Sequence, residues 1–360
     1  MTTRITRAGI LTALGPLEET WQSLVRGESG LKQITIEKME EKWPLGVIKT
    51  LSGEFGTIHR LESLLDQLLA DIPPLNPDCE LICATTKGAI DELLTKDEPT
   101  GGQCYQIGDE IKERLGLSGK ATTISAACAS GTIALIQGAL RVQQGSSSQV
   151  LVIGLDLVSR FVLGGFASLK ALSATGCRPF DRKRDGLSLG EAGAWLLLEK
   201  KPTGDSPFNG VVSSWGIGCD ATHITAPCRH GSGLIATLGQ LKTRSQTPIG
   251  AINGHGTGTV YNDAMELLAF GSTLESQLPL FSVKGGIGHT LGAAGLVESI
   301  VCLKALEEGC IPPTVGLDSP EESTSQLSGH EVLPLGSPSI VNCNSGFGGI
   351  NAAVLLTQAD

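Results

Sequence analysis

Cys128–Gly145 reads CASGTIALIQGALRVQQG, and Gly292–Gly309 reads GAAGLVESIVCLKALEEG. At an offset of 164 the two stretches agree at four of eighteen positions: Ala129/Ala293, Gly131/Gly295, Ile136/Ile300 and Gly145/Gly309. So few identities also fit two unrelated amphipathic helices that end in glycine. Context adds weight, because each stretch follows an apolar strand candidate and a turn of small residues. A true repeat would make the chain a duplicated α/β unit about a pseudo-twofold axis. Two helix N-termini would then meet near its centre.

Strand candidates lie on either side of these helices: Arg4–Thr12, Glu80–Thr85, Ala121–Ala127, Gln149–Leu157, Ala192–Leu198, Gly210–Ile217, Pro248–Asn253, Leu280–Lys284, Ser339–Asn344 and Ala352–Thr357. Several are continuously apolar, as expected of strands buried on both faces. Helix-period stretches alternate with them, including Leu17–Arg26, Arg60–Ala70, Cys128–Gln144 and Gly292–Glu308. The alternation reads as α/β. Of 360 residues, 41% are apolar and 18% charged, enough to bury a large core. Aromatics make up only 4% against 47 glycines, so small aliphatic side chains must fill the interior.

The net charge of −10 argues against a nucleic-acid binder and against a polybasic membrane surface. No run reaches the roughly 18 apolar residues of a membrane span. The N-terminal MTTRITRAGILTALG shows no signal-peptide pattern. Ten cysteines contain no CxxC pair, which speaks against zinc or redox motifs and for buried thiols in a reducing cytoplasm. No metal is expected.

Three residues stand out chemically. Cys128 is the one cysteine at a strand-to-helix junction, where unpaired N–H groups favour a thiolate. His255 and His289 lie in glycine-rich stretches directly after apolar strands, in GHGTGT and KGGIGHT. Strand ends are where α/β folds bind ligands, and glycine lets a ligand approach the backbone. The GHGTGT stretch lacks phosphate-loop spacing, and no GxSxG elbow is present.

Taken together, these residues resemble the β-ketoacyl-acyl-carrier-protein synthases of the thiolase superfamily, most closely the elongating Cys-His-His type. Ala126–Ser130 is similar to the nucleophile motif. Cys177–Asp181 through Gly186 is similar to the RPFD…RDG stretch. His255, Lys284 with His289, and Gly346–Asn351 match the HGTGT, VK…GHT and GFGG-x-N motifs in order. Departures are Val260-Tyr261-Asn262 where the family has Pro-Leu-Gly, Gly285-Gly286 within the GHT motif, Ile350 for threonine, and thin connections around 50–120 and 230–250.

The resemblance implies a thiolase-like five-layer αβαβα fold of two pseudo-repeated halves, here placed at residues 1–222 and 223–360, and usually dimeric. It implies that Cys128 takes an acyl chain, and that His255 and His289 stabilise the enolate from decarboxylated malonyl carrier protein. Phe347 and Cys128 would supply oxyanion N–H groups. Lys284 would pair with Glu298 rather than act as a base. Thr257, Thr259 and Thr225 would contact the phosphopantetheine arm, and Phe166 would gate the acyl pocket. Lys170, and more weakly Arg60, Arg182 and Lys183, would dock an acidic carrier. No cofactor beyond the carrier's arm is implied. The expected partners are acyl carrier protein and a ketosynthase-like subunit in a homodimer or heterodimer. Two other readings compete with this one. A non-catalytic chain-length-factor-like subunit usually lacks the nucleophile, and a coenzyme A thiolase would use a second cysteine in place of His289.

Overall fold

The computed structural model describes residues 3–36, 41–93, 102–200 and 208–359. The first half contributes β1 (Thr3–Thr12), β2 (Glu80–Ala84), β3 (Ala121–Ile124), β4 (Gln149–Asp156) and β5 (Ala192–Glu199). The second contributes β6 (Gly210–Cys219), β7 (Ala251–Asn253), β8 (Pro279–Phe281), β9 (Ser339–Gly346) and β10 (Ile350–Gln358). Their order is β3-β2-β4-β5-β1 in one half and β8-β7-β9-β10-β6 in the other. Ranked within its own half, each reads third, second, fourth, fifth, first. In each half three strands run parallel and the fourth, fifth and first pair antiparallel. The halves join where β1 pairs with β6, from Thr3 opposite Val212 to Ile5 opposite Gly210.

Topology therefore corrects the boundary expected at residue 222. Strand β6 is the first strand of the second half, so the division falls between Glu199 and Gly210. Sequence adjacency suggested that β5 and β6 form one pair. Instead the chain crosses over, and β6 lies between β1 and β10.

The covering helices are α1 (Ile58–Ala70), α2 (Cys104–Arg114), α3 (Ser130–Gln144), α4 (Ser232–Arg244), α5 (Val260–Thr273) and α6 (Ala294–Glu308). Helices α3 and α6 pack on strands of both halves and on each other, forming the central layer. Helices α1 and α2 cover the outer face of the first half; α4, backed by α5, covers that of the second. This gives the five expected layers.

All four repeat identities have a structural counterpart. Ala129 and Ala293 are the fully buried N-caps of α3 and α6. Gly145 and Gly309 end those helices in the left-handed region, at φ 74° and 69°. Ile136 and Ile300 are fully buried. Gly131 and Gly295 are where the two helices touch: a Cβ on Gly131 would lie 2.9 Å from Gly292 O, and one on Gly295 would collide with Thr132. Backbone contact at the twofold axis thus requires glycine on both sides.

Arg60 corrects another expectation. It is no docking residue. The side chain is buried and forks onto Glu191, with Nε 2.8 Å from Oε1 and Nη2 2.5 Å from Oε2. Its remaining donors reach the carbonyls of Ile48, Leu51 and Gly53. Breaking such a pair strands a buried charge. Arg60→Ala is expected to cost about 3–5 kcal/mol in denaturant unfolding, whereas a cost below about 1 kcal/mol would mark the pair as incidental.

Candidate active site

The nucleophile sits on a strained elbow. After β3 the chain turns through Ala127, which has φ 48°. Holding a residue with a Cβ there costs roughly 1–2 kcal/mol. Ser130 fastens the turn: its Oγ accepts from Ala126 N at 2.8 Å and donates to Ala127 O at 2.6 Å. Cys128 is thereby held two residues ahead of α3. Across from it lies Gly346, where a Cβ would come within 3.1 Å of both Ala127 Cβ and Cys128 N. That close approach brings Phe347 beside Cys128, where its N–H acts to lower the thiol.

His255 follows β7 on a loop held by two buried carboxylates of α5. Glu266 accepts the N–H groups of His255 at 2.6 Å and Gly256 at 2.7 Å. Asp263 accepts those of Phe180, Thr257 and Gly258. Burial, and then the Asp263 charge, push the Glu266 carboxyl up to about 8. The sequence reading missed both residues. Their signal was available as two acids three apart in the opening turns of an apolar helix.

His289 ends a short turn begun by Lys284–Ile287. Lys284 is fully buried; its Nζ pairs with Glu298 Oε1 and donates to His255 O at 2.6 Å. Asn344 Nδ2 donates to Glu298 Oε2 at 2.7 Å. A carboxylate only accepts, which fixes the orientation of the amide. The same Nδ2 faces His255 Nδ1 at 3.3 Å, so Nδ1 accepts and the ring proton stays on Nε2. His289 follows the same logic, because its Nδ1 accepts from Leu291 N at 3.3 Å. Its Nε2 lies 3.0 Å from Cys128 Sγ. The two rings meet edge-on, 5.1 Å apart. Burial, and then the Lys284 charge, hold both histidines well below their ordinary value. At neutral pH each is an uncharged Nε2–H donor.

Cys128, His255 and His289 line one cavity of about 380 Å3. Phe166, Lys170, Thr225, Thr257, Thr259 and Phe347 line it too. The Phe166 and Phe347 rings stack 5.5 Å apart. The Thr257 and Thr259 hydroxyls are 2.9 Å apart. Lys284 and Glu298 stand behind the histidines rather than in the cavity. The ligand atoms of Cys128, His255 and His289 lie within 4.8 Å of one another. A metal at that spacing would have to displace the Nδ1 hydrogen bonds that fix both tautomers.

The expected resting thiolate is not met. Burial outweighs every other influence on Cys128 and pushes its thiol up to about 12. That rise corresponds to about 4 kcal/mol, while a helix N-terminus returns at most about 2 kcal/mol. The nucleophile is therefore stored as a thiol. Alkylation of Cys128, followed by peptide mass, is expected to accelerate continuously from pH 7 to 10. A plateau below pH 9 would mean a resting thiolate.

Comparison with known proteins agrees with this geometry. The family model described as β-ketoacyl synthase, N-terminal domain, matches residues 97–203, and its C-terminal domain counterpart matches 209–318. The 3-oxoacyl-[acyl-carrier-protein] synthase 2 of Vibrio cholerae is 34% identical over 272 residues, covering 70% of this chain and 66% of that relative. The Mycobacterium leprae protein of the same name is 27% identical, covering 97% and 95%. Among solved structures, a chain from the complex of a ketosynthase with its chain length factor from Xenorhabdus doucetiae superposes with a TM-score of 0.82 at 26% identity, covering 99% and 98%. A β-ketoacyl synthase from Burkholderia phymatum gives 0.84 at 21% identity over 100% of both chains, a likeness of fold. The two matched domains divide between Glu199 and Gly210, where the strand topology also divides, and the chain belongs to the β-ketoacyl synthase family of the thiolase superfamily.

Proposed function

We propose that the protein is a β-ketoacyl-acyl-carrier-protein synthase, condensing an enzyme-bound acyl thioester with malonyl carrier protein. The observation that carries this reading is a buried thiol 3.0 Å from a neutral histidine Nε2, with a second neutral histidine beside it in the same cavity. In the first half-reaction the Cys128 sulfur bonds to the acyl carbon, the carrier's C–S bond breaks, and the thiol proton leaves on the carrier sulfur. The backbone N–H groups of Cys128 and Phe347 hold the tetrahedral oxyanion. In the second, the C–CO2 bond of the malonyl group breaks and its electrons form an enolate. Two Nε2–H donors stabilise charge on the thioester oxygen without giving up their protons. The enolate carbon then attacks the acyl carbon, the Cys128 C–S bond breaks, and the thiolate recovers a proton from water.

Acyl groups arrive on the carrier's phosphopantetheine arm, contacted by Thr225, Thr257 and Thr259, and no further cofactor is required. Lys170, exposed at the cavity mouth, serves carrier docking. The assembly proposed is a pair of ketosynthase-like subunits. A cytoplasmic setting fits ten unpaired cysteines, six of the side chains being buried in the three main cores and around the active site. Among the described residues no helix is long and apolar enough to cross a membrane. Retention of Cys128 disfavours the partner-subunit alternative.

Intact-mass analysis with acyl carrier proteins of varied chain length should show one acyl adduct on the wild type and none on Cys128→Ala. An adduct that persists on Cys128→Ala would overturn the assignment. His255→Ala and His289→Ala are each expected to lower the decarboxylation kcat by about 10²–10³, with a smaller change in KM.

A further inference from the structure

The cavity mouth carries a feature that the proposed chemistry leaves unused. Helix α5 opens with Val260-Tyr261-Asn262, where the family usually has Pro-Leu-Gly. Val260 and Tyr261 are 53% and 58% exposed, and both line the cavity. Leu169, which lines the same cavity, is 49% exposed. Single exposed apolar residues are ordinary. Three around one opening form a rim. The Arg229 guanidinium lies over the Tyr261 ring, 5.2 Å from its centre. Among the described residues no ion pair is formed by Arg229 or by Lys170. Asp185 and Asp220 also line the cavity, and Asp220 accepts the N–H groups of Thr222 and Cys228.

Resting on the function proposed above, we propose that Arg229, held over Tyr261, binds the phosphodiester at the base of the carrier's phosphopantetheine arm. A guanidinium stacked on an aromatic face has lost part of its rotamer freedom before binding. Stacking leaves the edge of the fork free, and that edge matches two oxygens of a phosphate. Tyr261, which Arg229 covers, lines the cavity that the arm must enter to bring its thioester to Cys128. Tyr261 positions Arg229 and covers the arm beside the phosphate. In a chain of net charge −10, an unpaired cation at this entrance also selects for an anionic ligand where most of the surface repels one.

Equilibrium titration with phosphopantetheine and with dephosphorylated pantetheine, on the wild type, Arg229→Ala, Arg229→Lys and Tyr261→Ala, tests this. The wild type should prefer phosphopantetheine by about tenfold or more, an advantage that shrinks with added salt. Arg229→Ala should abolish the preference. Arg229→Lys, which keeps the charge without the fork, and Tyr261→Ala should each reduce it. Equal wild-type affinity for the two compounds, or a preference that survives Arg229→Ala, would overturn the proposal. Effects on whole carrier protein without any effect on phosphopantetheine would place the contact on the carrier's surface and overturn it as well. Binding is read here, not turnover. A wild type that discriminates the two compounds yet fails to condense acyl groups would contradict the proposed function and leave this inference standing.

Discussion

The active site depends on one buried ammonium. Lys284 has no water to solvate it, so its three donors must be met by protein. Glu298 and the carbonyl of His255 meet two of them. Glu298 in turn orients Asn344, and Asn344 fixes the His255 ring. Thr132 on α3 donates to the Oδ1 of the same amide, so the helix that carries Cys128 is tied to the histidine network. Lys284 also begins the turn that delivers His289, and its charge adds to burial in holding both rings below their ordinary value. Removing either partner of such a pair leaves an uncompensated charge, an error worth about 3–5 kcal/mol.

Burial explains the division of labour among the three reacting groups. The same desolvation that raises the Cys128 thiol lowers both imidazoles, because in each case it disfavours the charged form. The site is thus assembled uncharged around its nucleophile. Charge appears only as the reaction proceeds, and the donors are already aimed at the places where it develops. Such preorganisation requires close backbone approach, which is where the glycines are spent. Gly346 admits the Phe347 loop to the elbow, and Gly131 with Gly295 lets the two central helices touch.

Much of this could be read from residues alone. Strands such as β4 and β5 are continuously apolar and buried along their length, so their positions were plain. Cys128 sits among alanines at a strand-to-helix junction, and His255 and His289 follow strands and adjoin glycine, features that mark all three in the sequence. The duplication was faint, at four identities in eighteen, yet each identity marks a contact, core position or cap that the fold requires. Other features were hidden. Arg60 looked like a surface charge because nothing local revealed Glu191, 131 positions away. The swap of β6 into the second half arises from a crossover that adjacency conceals. Helix α4 carried readable spacing at Leu234, Leu238 and Leu241, but its glycines and threonines obscured the period. The protonation of Cys128 depends on total burial, a quantity that a helix N-terminus cannot report.

The central claim is that both histidines rest as neutral Nε2–H donors. Nitrogen-15 imidazole spectra of the Cys128→Ala protein at pH 7 test it directly. The account predicts two ring systems in which Nδ1 is bare and Nε2 carries the proton. An imidazolium at pH 7, or a proton on Nδ1 of either ring, would contradict it.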